Sequence, residues 1–200
     1  MSDRSGAKAE RRRNTKLDLA HSAANLMKDR GYGGTSIDSI VKAAAVTKPT
    51  FYYHYASKLE LLTELVEASM GRIEKALARA DDPFLAPDQR LARLIAAYTL
   101  EVLDRPDLWT IYLGERDRLD PDRARAIRRR ERAVIGLLEK VITDGIKRGI
   151  FKDLNPLVAA MGLIGMVTWL HRWYQDRGNA NKTMIVDQYS QMAVAALQAT

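Results

Sequence analysis

Between Thr35 and Lys58 the chain signals three helix starts in close succession, and that spacing constrains the fold more than any other feature. Thr35 or Ser36 can cap the first helix, with Asp38 completing a Thr-x-x-Asp box over the free N–H groups. Ile37, Ile40, Val41 and Ala44 then recur on one face at helical spacing. Ala45-Val46 is the turn. Thr47 can cap a second helix, whose Pro49 is tolerable only in the first turn, where its missing N–H has no intrahelical role. Phe51 and Tyr55 lie one turn apart and face inward, which leaves Tyr52, Tyr53 and His54 outside with Lys48 and Thr50. Ser57 with Glu60 makes a further capping box, with Lys58 in the first turn of the helix it opens.

A short capped helix with polar tips, followed by a cation at the next helix start, is what a reader of the DNA major groove needs. The charge agrees. The net charge is +7, and residues 1–60 carry eleven Lys/Arg against six Asp/Glu, so most of the excess lies in under a third of the chain. Such a balance suits a polyanionic partner. Residues 1–13 are small, polar and basic, and are expected to form a mobile arm whose Arg11, Arg12 and Arg13 lie on phosphates or in the minor groove, or are simply solvated. Residues 14–60 are expected to form the DNA-binding domain, with a first helix from Asn14-Thr15 to the stop at Gly31.

Residues 61–200 read as helix throughout. Leu61, Leu65, Met70, Ile73 and Leu77 stripe the helix opened by Ser57, which ends before Asp81-Asp82-Pro83. Leu91, Leu94, Ile95, Tyr98 and Val102 mark the next, and a short segment follows around Leu108 to Leu113. Asp120-Pro121 and Asn155-Pro156 are caps followed by N1 prolines. The first opens a long helix with an arginine-rich outer face, read as solvated, as meeting a phosphate-bearing ligand or as meeting a partner subunit. The second opens a helix apolar nearly all round, which must be covered on several sides; Gly178 is its stop. Its Ala159, Gly162 and Gly165 allow close backbone approach. With a last helix near Lys182 to Gln198, it reads as half of a four-helix dimer bundle. The fold class is all-α, about nine helices in two parts.

The stretch from Tyr32 to Leu62 resembles the DNA-binding domain of the TetR family of bacterial transcriptional regulators. The resemblance rests on Gly31-Tyr32, Thr35-Ser36-Ile37, Ala44 to Lys48, Thr50-Phe51-Tyr52 and Tyr55 followed by Ser57-Lys58. It departs at Ala45, where relatives often carry Gly and where a Cβ restricts positive φ. It implies a ligand-responsive repressor that binds a palindromic operator as a homodimer. The DNA-contacting residues would be Thr35, Ser36, Thr47, Lys48, Pro49, Thr50, Tyr52, Tyr53, His54 and Lys58. Tyr52 and Lys58 would hold phosphates, and Tyr53 and His54 would lie at the groove. It also implies that the helix opened by Ser57 transmits the state of the second domain to the head.

The second domain is expected to hold a small hydrophobic effector. Its candidate walls are Tyr98, Leu103, Trp109, Tyr112, Met161, Met166, Trp169 and Trp173. The stretch from Gly165 to Tyr174 is similar to the penultimate-helix end of relatives that answer acyl-CoA or fatty-acid-derived ligands. In that case Arg116, Arg128 or Arg172 would meet CoA phosphates. A neutral aromatic or hydrophobic effector is the alternative, as is a helical small-molecule carrier with no DNA role.

An enzyme is not expected. Cysteine is absent, and His21, His54 and His171 are far apart, so neither thiol chemistry nor metal-ligand spacing is offered. No phosphate loop, nucleophile elbow or cofactor fingerprint occurs. The longest apolar stretch, Leu157 to Leu170, falls short of the roughly 20 residues a bilayer demands, and no apolar leader opens the chain, so a cytoplasmic protein is expected.

Overall fold

The computed structural model describes residues 3–174 and 181–199. The expected stop at Gly178 and the side chain of Arg11 lie outside the described residues. The order is α1 (Asp3–Arg30), α2 (Ile37–Ala43), α3 (Lys48–His54), α4 (Lys58–Ala80), α5 (Pro87–Asp104) and α6 (Pro106–Glu115). A 3₁₀ turn (Arg116–Arg118) follows, then α7 (Pro121–Lys147), α8 (Pro156–Thr168), the single turn α9 (Leu170–Trp173) and α10 (Lys182–Leu197). Among the described residues the one extended pairing is an isolated bridge between Phe151 and Gln198. The all-α expectation holds, and no helix described is long and apolar enough to cross a membrane.

The caps formed where short-range sequence dictated them. Thr47 accepts from Thr50 N, Ser57 from Glu60 N, Asp120 from Asp122 N and Arg123 N, and Asn155 from Val158 N. The first cap differs from expectation. Ser36 caps α2, and Ser39 rather than Asp38 completes the reciprocal box. The N-terminal arm differs too: α1 begins at Asp3, far upstream of Asn14, because Ala7, Lys8, Ala9, Glu10 and Arg11 to Arg13 are strong helix formers that continue the helix behind them.

Ala45 sits at φ 52, the left-handed region that the turn demands and that a Cβ resists. Ala45→Gly is therefore expected to stabilise the protein by ~0.5–1 kcal/mol, the relief of that strain less the entropy glycine adds to the unfolded chain. Chemical denaturation checks it; a loss of stability would mean that the turn gains nothing from a residue without Cβ.

α1, α2 and α3 share a core with the start of α4, in which Leu19, Ala23, Ile40, Phe51, Tyr55, Leu61 and Leu62 are fully buried or nearly so. α4 runs unbroken past residue 60 into the second half. There α5 is the central helix, packed against α4, α7, α8 and α10, while α6 lies across α1 and α4. The arginine-rich face of α7 is only partly solvated. Arg130 forks onto Glu74 of α4 at 2.7 and 2.5 Å, and Arg123 reaches Glu67 at 3.4 Å.

α8 is not covered all round in the single chain. Ala160, Leu163 and Val167 are buried, but Leu157, Val158, Met161, Trp169 and Trp173 are exposed, as are Met184 and Met192 of α10. A Cβ built on Gly162 or Gly165 would meet no atom within 4 Å.

Candidate nucleic-acid interface and ligand cavity

The tip of the head is built by α3. Thr47 and Thr50 hydroxyls lie 2.9 Å apart, so both are held by the cap that starts the helix. Lys48 Nζ lies 2.8 Å from Asp38 on α2, and that hydrogen bond pushes the ammonium's pKa up. Pro49 is exposed in the first turn. Tyr52 and Tyr53 project from the far side, both more than half exposed. The Arg12 guanidinium lies over the Tyr53 ring, 4.5 Å from its centroid, so α1 reaches α3 directly. The His54 ring packs edge-on to Tyr53. Burial, with Arg12 and Lys16 nearby, pushes its pKa down, so it is a neutral hydrogen-bonding group near pH 7 rather than a cation.

Two of the expected DNA-contacting residues have partners within the head. Thr35 is buried and its hydroxyl donates to Gly31 O at 2.9 Å, which leaves the exposed cap to Ser36. Lys58 is not a free cation at a helix start. Its Nζ donates to Tyr32 O and Thr35 O, each at 2.7 Å, and lies 4.0 Å from the Tyr32 ring centroid. Those carbonyls end the corner between α1 and α2, so Lys58 ties the corner down.

A cavity of about 290 Å³ opens between α4, α5, α6, α7 and α8. Five expected residues line it: Tyr98, Trp109, Tyr112, Arg116 and Met161. Five do not. Leu103 is buried in the core, Met166 packs partly against that core, and Trp169, Arg172 and Trp173 face outward. Their aromatic or apolar character fits the exposed face of α8 and α9 instead. The remaining walls include Met70 and Ile73 of α4, Val134 and Ile135 of α7, and Ile164 and Thr168 of α8.

One end of the cavity is charged. Glu131 receives Arg116 at 2.5 Å and the Tyr112 hydroxyl, and burial with that carboxylate pushes the pKa of Tyr112 far up. Tyr112 keeps its proton and donates. From sequence Glu131 counts with the arginine-rich outer face of α7, yet a signal against that exists: it is four residues after Ile127 and three before Val134, an acid on the apolar face of the helix. A smaller cavity of about 80 Å³ shares Arg116 and Glu131 and adds Arg128. Among the described residues no cluster of three or more possible metal ligands occurs.

Comparison with known proteins agrees with this two-part layout. Residues 19–65 match the model for bacterial regulatory proteins of the tetR family, and residues 85–197 match the tetracyclin repressor-like C-terminal domain. The chain belongs to the TetR family of bacterial transcriptional regulators. The HTH-type transcriptional repressor KstR2 of Mycobacterium tuberculosis is 26% identical over 189 residues, 94% of this chain and 93% of that one. A TetR-family regulatory protein from Rhodococcus RHA1 superposes with a TM-score of 0.86 at 20% identity, covering 93% of this chain and 98% of that one. AibR, solved in complex with isovaleryl coenzyme A and operator DNA, superposes with a TM-score of 0.78 at 26% identity over 92% and 98%. As a TetR-family regulator the chain has a DNA-binding helix-turn-helix head and a helical C-terminal domain that answers a small molecule.

Proposed function

We propose that this TetR-family protein is a cytoplasmic repressor that binds a palindromic operator as a homodimer and is released by an acyl-CoA with a short acyl group. The observation that carries the effector class is the cavity, apolar along its length and closed by Arg116, Glu131 and Tyr112. Its volume lies just below the range of roughly 300–1,000 Å³ for small-molecule sites, so a short or single-ring group fits better than a long chain. The acyl group would lie against Trp109, Tyr98 and Met161. Tyr112 and Arg116 would donate to the thioester carbonyl, and Arg128 would meet phosphate at the adjoining cavity. That AibR was solved with isovaleryl coenzyme A supports this reading. The aromatic walls favour the second reading, a neutral aromatic effector of similar size.

On the DNA side, Ser36, Thr47, Lys48, Pro49, Thr50, Tyr52, Tyr53 and His54 form the reading surface, with Arg12 beside it. Lys48 exchanges Asp38 for a base edge or a phosphate. The exposed apolar face of α8 and α10 meets its symmetry mate and sets two recognition helices about 34 Å apart or somewhat more. Effector binding favours a dimer with the heads spread from that spacing, which requires that the ligand bind the spread state more tightly.

Fluorescence polarisation with the DNA upstream of the protein's own gene tests this at two salt concentrations. Affinity is expected to fall steeply with salt. Arg12→Ala is expected to reduce the slope of log affinity against log salt by about 0.9, the value of one phosphate contact. An unchanged slope would remove Arg12 from the interface. Isovaleryl-CoA, longer acyl-CoAs, free fatty acids and aromatic acids are then added. Release by short acyl-CoAs alone supports the proposal, and release by aromatics alone favours the second reading. Absence of salt-sensitive binding would sink operator recognition at that site.

A further inference from the structure

We propose that Glu115 is the positioning residue through which the effector cavity acts on the DNA-binding head, by a polar latch separate from α4. The inference rests on the ligand-responsive reading above, and its test is independent of DNA and ligand.

Glu115 and Arg116 are consecutive at the end of α6 and face opposite ways. Arg116 enters the cavity and is fixed by Glu131. Glu115 leaves the cavity and crosses to the head, where its Oε1 accepts from Tyr32 N at 2.8 Å. Its Oε2 receives Arg118 Nε at 2.5 Å, and the carboxylate is only 13% exposed. The opposite side of the same corner is held by α4, through Lys58 on Tyr32 O and Thr35 O. The Tyr32 ring lies between the two cations, 4.0 Å from Lys58 and 5.8 Å from Arg118. Thr35 precedes Ser36, the cap of α2. The corner that sets where α2 begins is thus gripped by one group from α4 and one from the cavity-bearing α6.

The consequence follows from hydrogen-bond geometry. A group that takes Arg116 from Glu131 releases the anchor at the end of α6. Glu115 then moves with the same turn, and a bond of 2.8 Å weakens steeply with small displacement or misalignment. Loss of that bond leaves the corner with its internal hydrogen bonds and the tie to Lys58. Chain continuity and two hydrogen bonds connect Glu131 to Tyr32, and the head's response does not require α4 to bend.

Amide hydrogen exchange of the full-length protein, followed on the peptide spanning 31–36, tests the latch. Glu115→Ala is expected to speed exchange there about five- to tenfold, and Glu115→Gln less, because the amide oxygen still accepts from Tyr32 N–H. The decisive variants are Glu131→Gln and Arg116→Met, which touch the cavity and not the corner. Each is expected to speed exchange at 31–36 about threefold, and to add nothing in a Glu115→Ala background. A merely structural Glu115 would respond to its own substitution and ignore the cavity variants. Exchange at 31–36 that stays at the wild-type rate in both folded cavity variants, while residues 106–118 loosen, would overturn the latch. The same variants in the polarisation assay report separately on repression: failure to bind DNA would sink the repressor reading and leave the exchange result standing.

Discussion

Val158→Asp is expected to give a folded monomer whose operator affinity is reduced about 100- to 10,000-fold, the contribution of a second linked binding module. Val158 is 68% exposed in the single chain, so an aspartate there costs the monomer little. Its neighbours on that side are Leu157 and Met161, with Met184 and Met192 exposed on α10. Exposed apolar side chains concentrated on two helices mark an interaction surface. Gly162 leaves room in the same helix for a close partner backbone. In a two-fold interface the substitution appears twice, and each carboxylate loses water without gaining a partner, a cost of several kcal/mol apiece. Light scattering after size exclusion reads the assembly, and polarisation reads the DNA. Phe84→Asp is the control: Phe84 is 97% exposed on the loop between α4 and α5, and its replacement is expected to leave both readouts unchanged. A Val158→Asp protein that stays dimeric at micromolar concentration and binds as before would move the interface away from α8.

What could be read from sequence and what could not divides by the range of the interactions concerned. The caps at Thr47, Ser57, Asp120 and Asn155 involve atoms two or three residues apart, so residue type and spacing suffice. The inward turn of Phe51 and Tyr55 follows from helical period alone. The partners of Lys58 are illegible for the opposite reason. The carbonyls that hold it lie 26 and 23 residues back, and spacing along one helix carries no trace of them. Thr35 and Ser36 are equivalent as caps until the buried Thr35 hydroxyl is seen on Gly31 O. The same limit applies to the cavity. Tyr98, Trp109 and Tyr112 line it, while Trp169 and Trp173 are similarly aromatic and helical but face out. Periodicity finds an apolar face without saying what covers it. The residues of the basic arm are polar and also helix formers, so composition alone does not tell where α1 begins.

Phe51→Ala is expected to unfold the head while the C-terminal helices stay folded, and so to abolish operator binding without touching a DNA-facing atom. The ring has no exposed surface and packs edge-on to Tyr52, with centroids 5.5 Å apart, and 5.7 Å from Tyr55. Truncating a fully buried Phe costs ~3–5 kcal/mol, most or all of what a small helical unit has to lose. Besides the two Lys58 bonds to the corner, the polar ties to the rest of the chain are few. Tyr55 OH donates to Glu64 at 3.1 Å, Lys16 meets Glu64 at 2.5 Å, and Glu115 holds Tyr32 N. Lys16 and Glu64 are both substantially exposed, so their pair contributes at most about 1 kcal/mol. Calorimetry is expected to show an early transition for the head, separated from a later one for the C-terminal helices near their wild-type temperature. Tyr52→Ala supplies the contrast: it removes an exposed ring on the next residue, and should leave both transitions within about 0.5 kcal/mol of wild type while weakening DNA binding. One undivided transition shifted downward in Phe51→Ala would show that α4 couples the two parts into a single cooperative unit. Unshifted melting with DNA binding retained would show that α3 is held in place by something other than its buried aromatic pair.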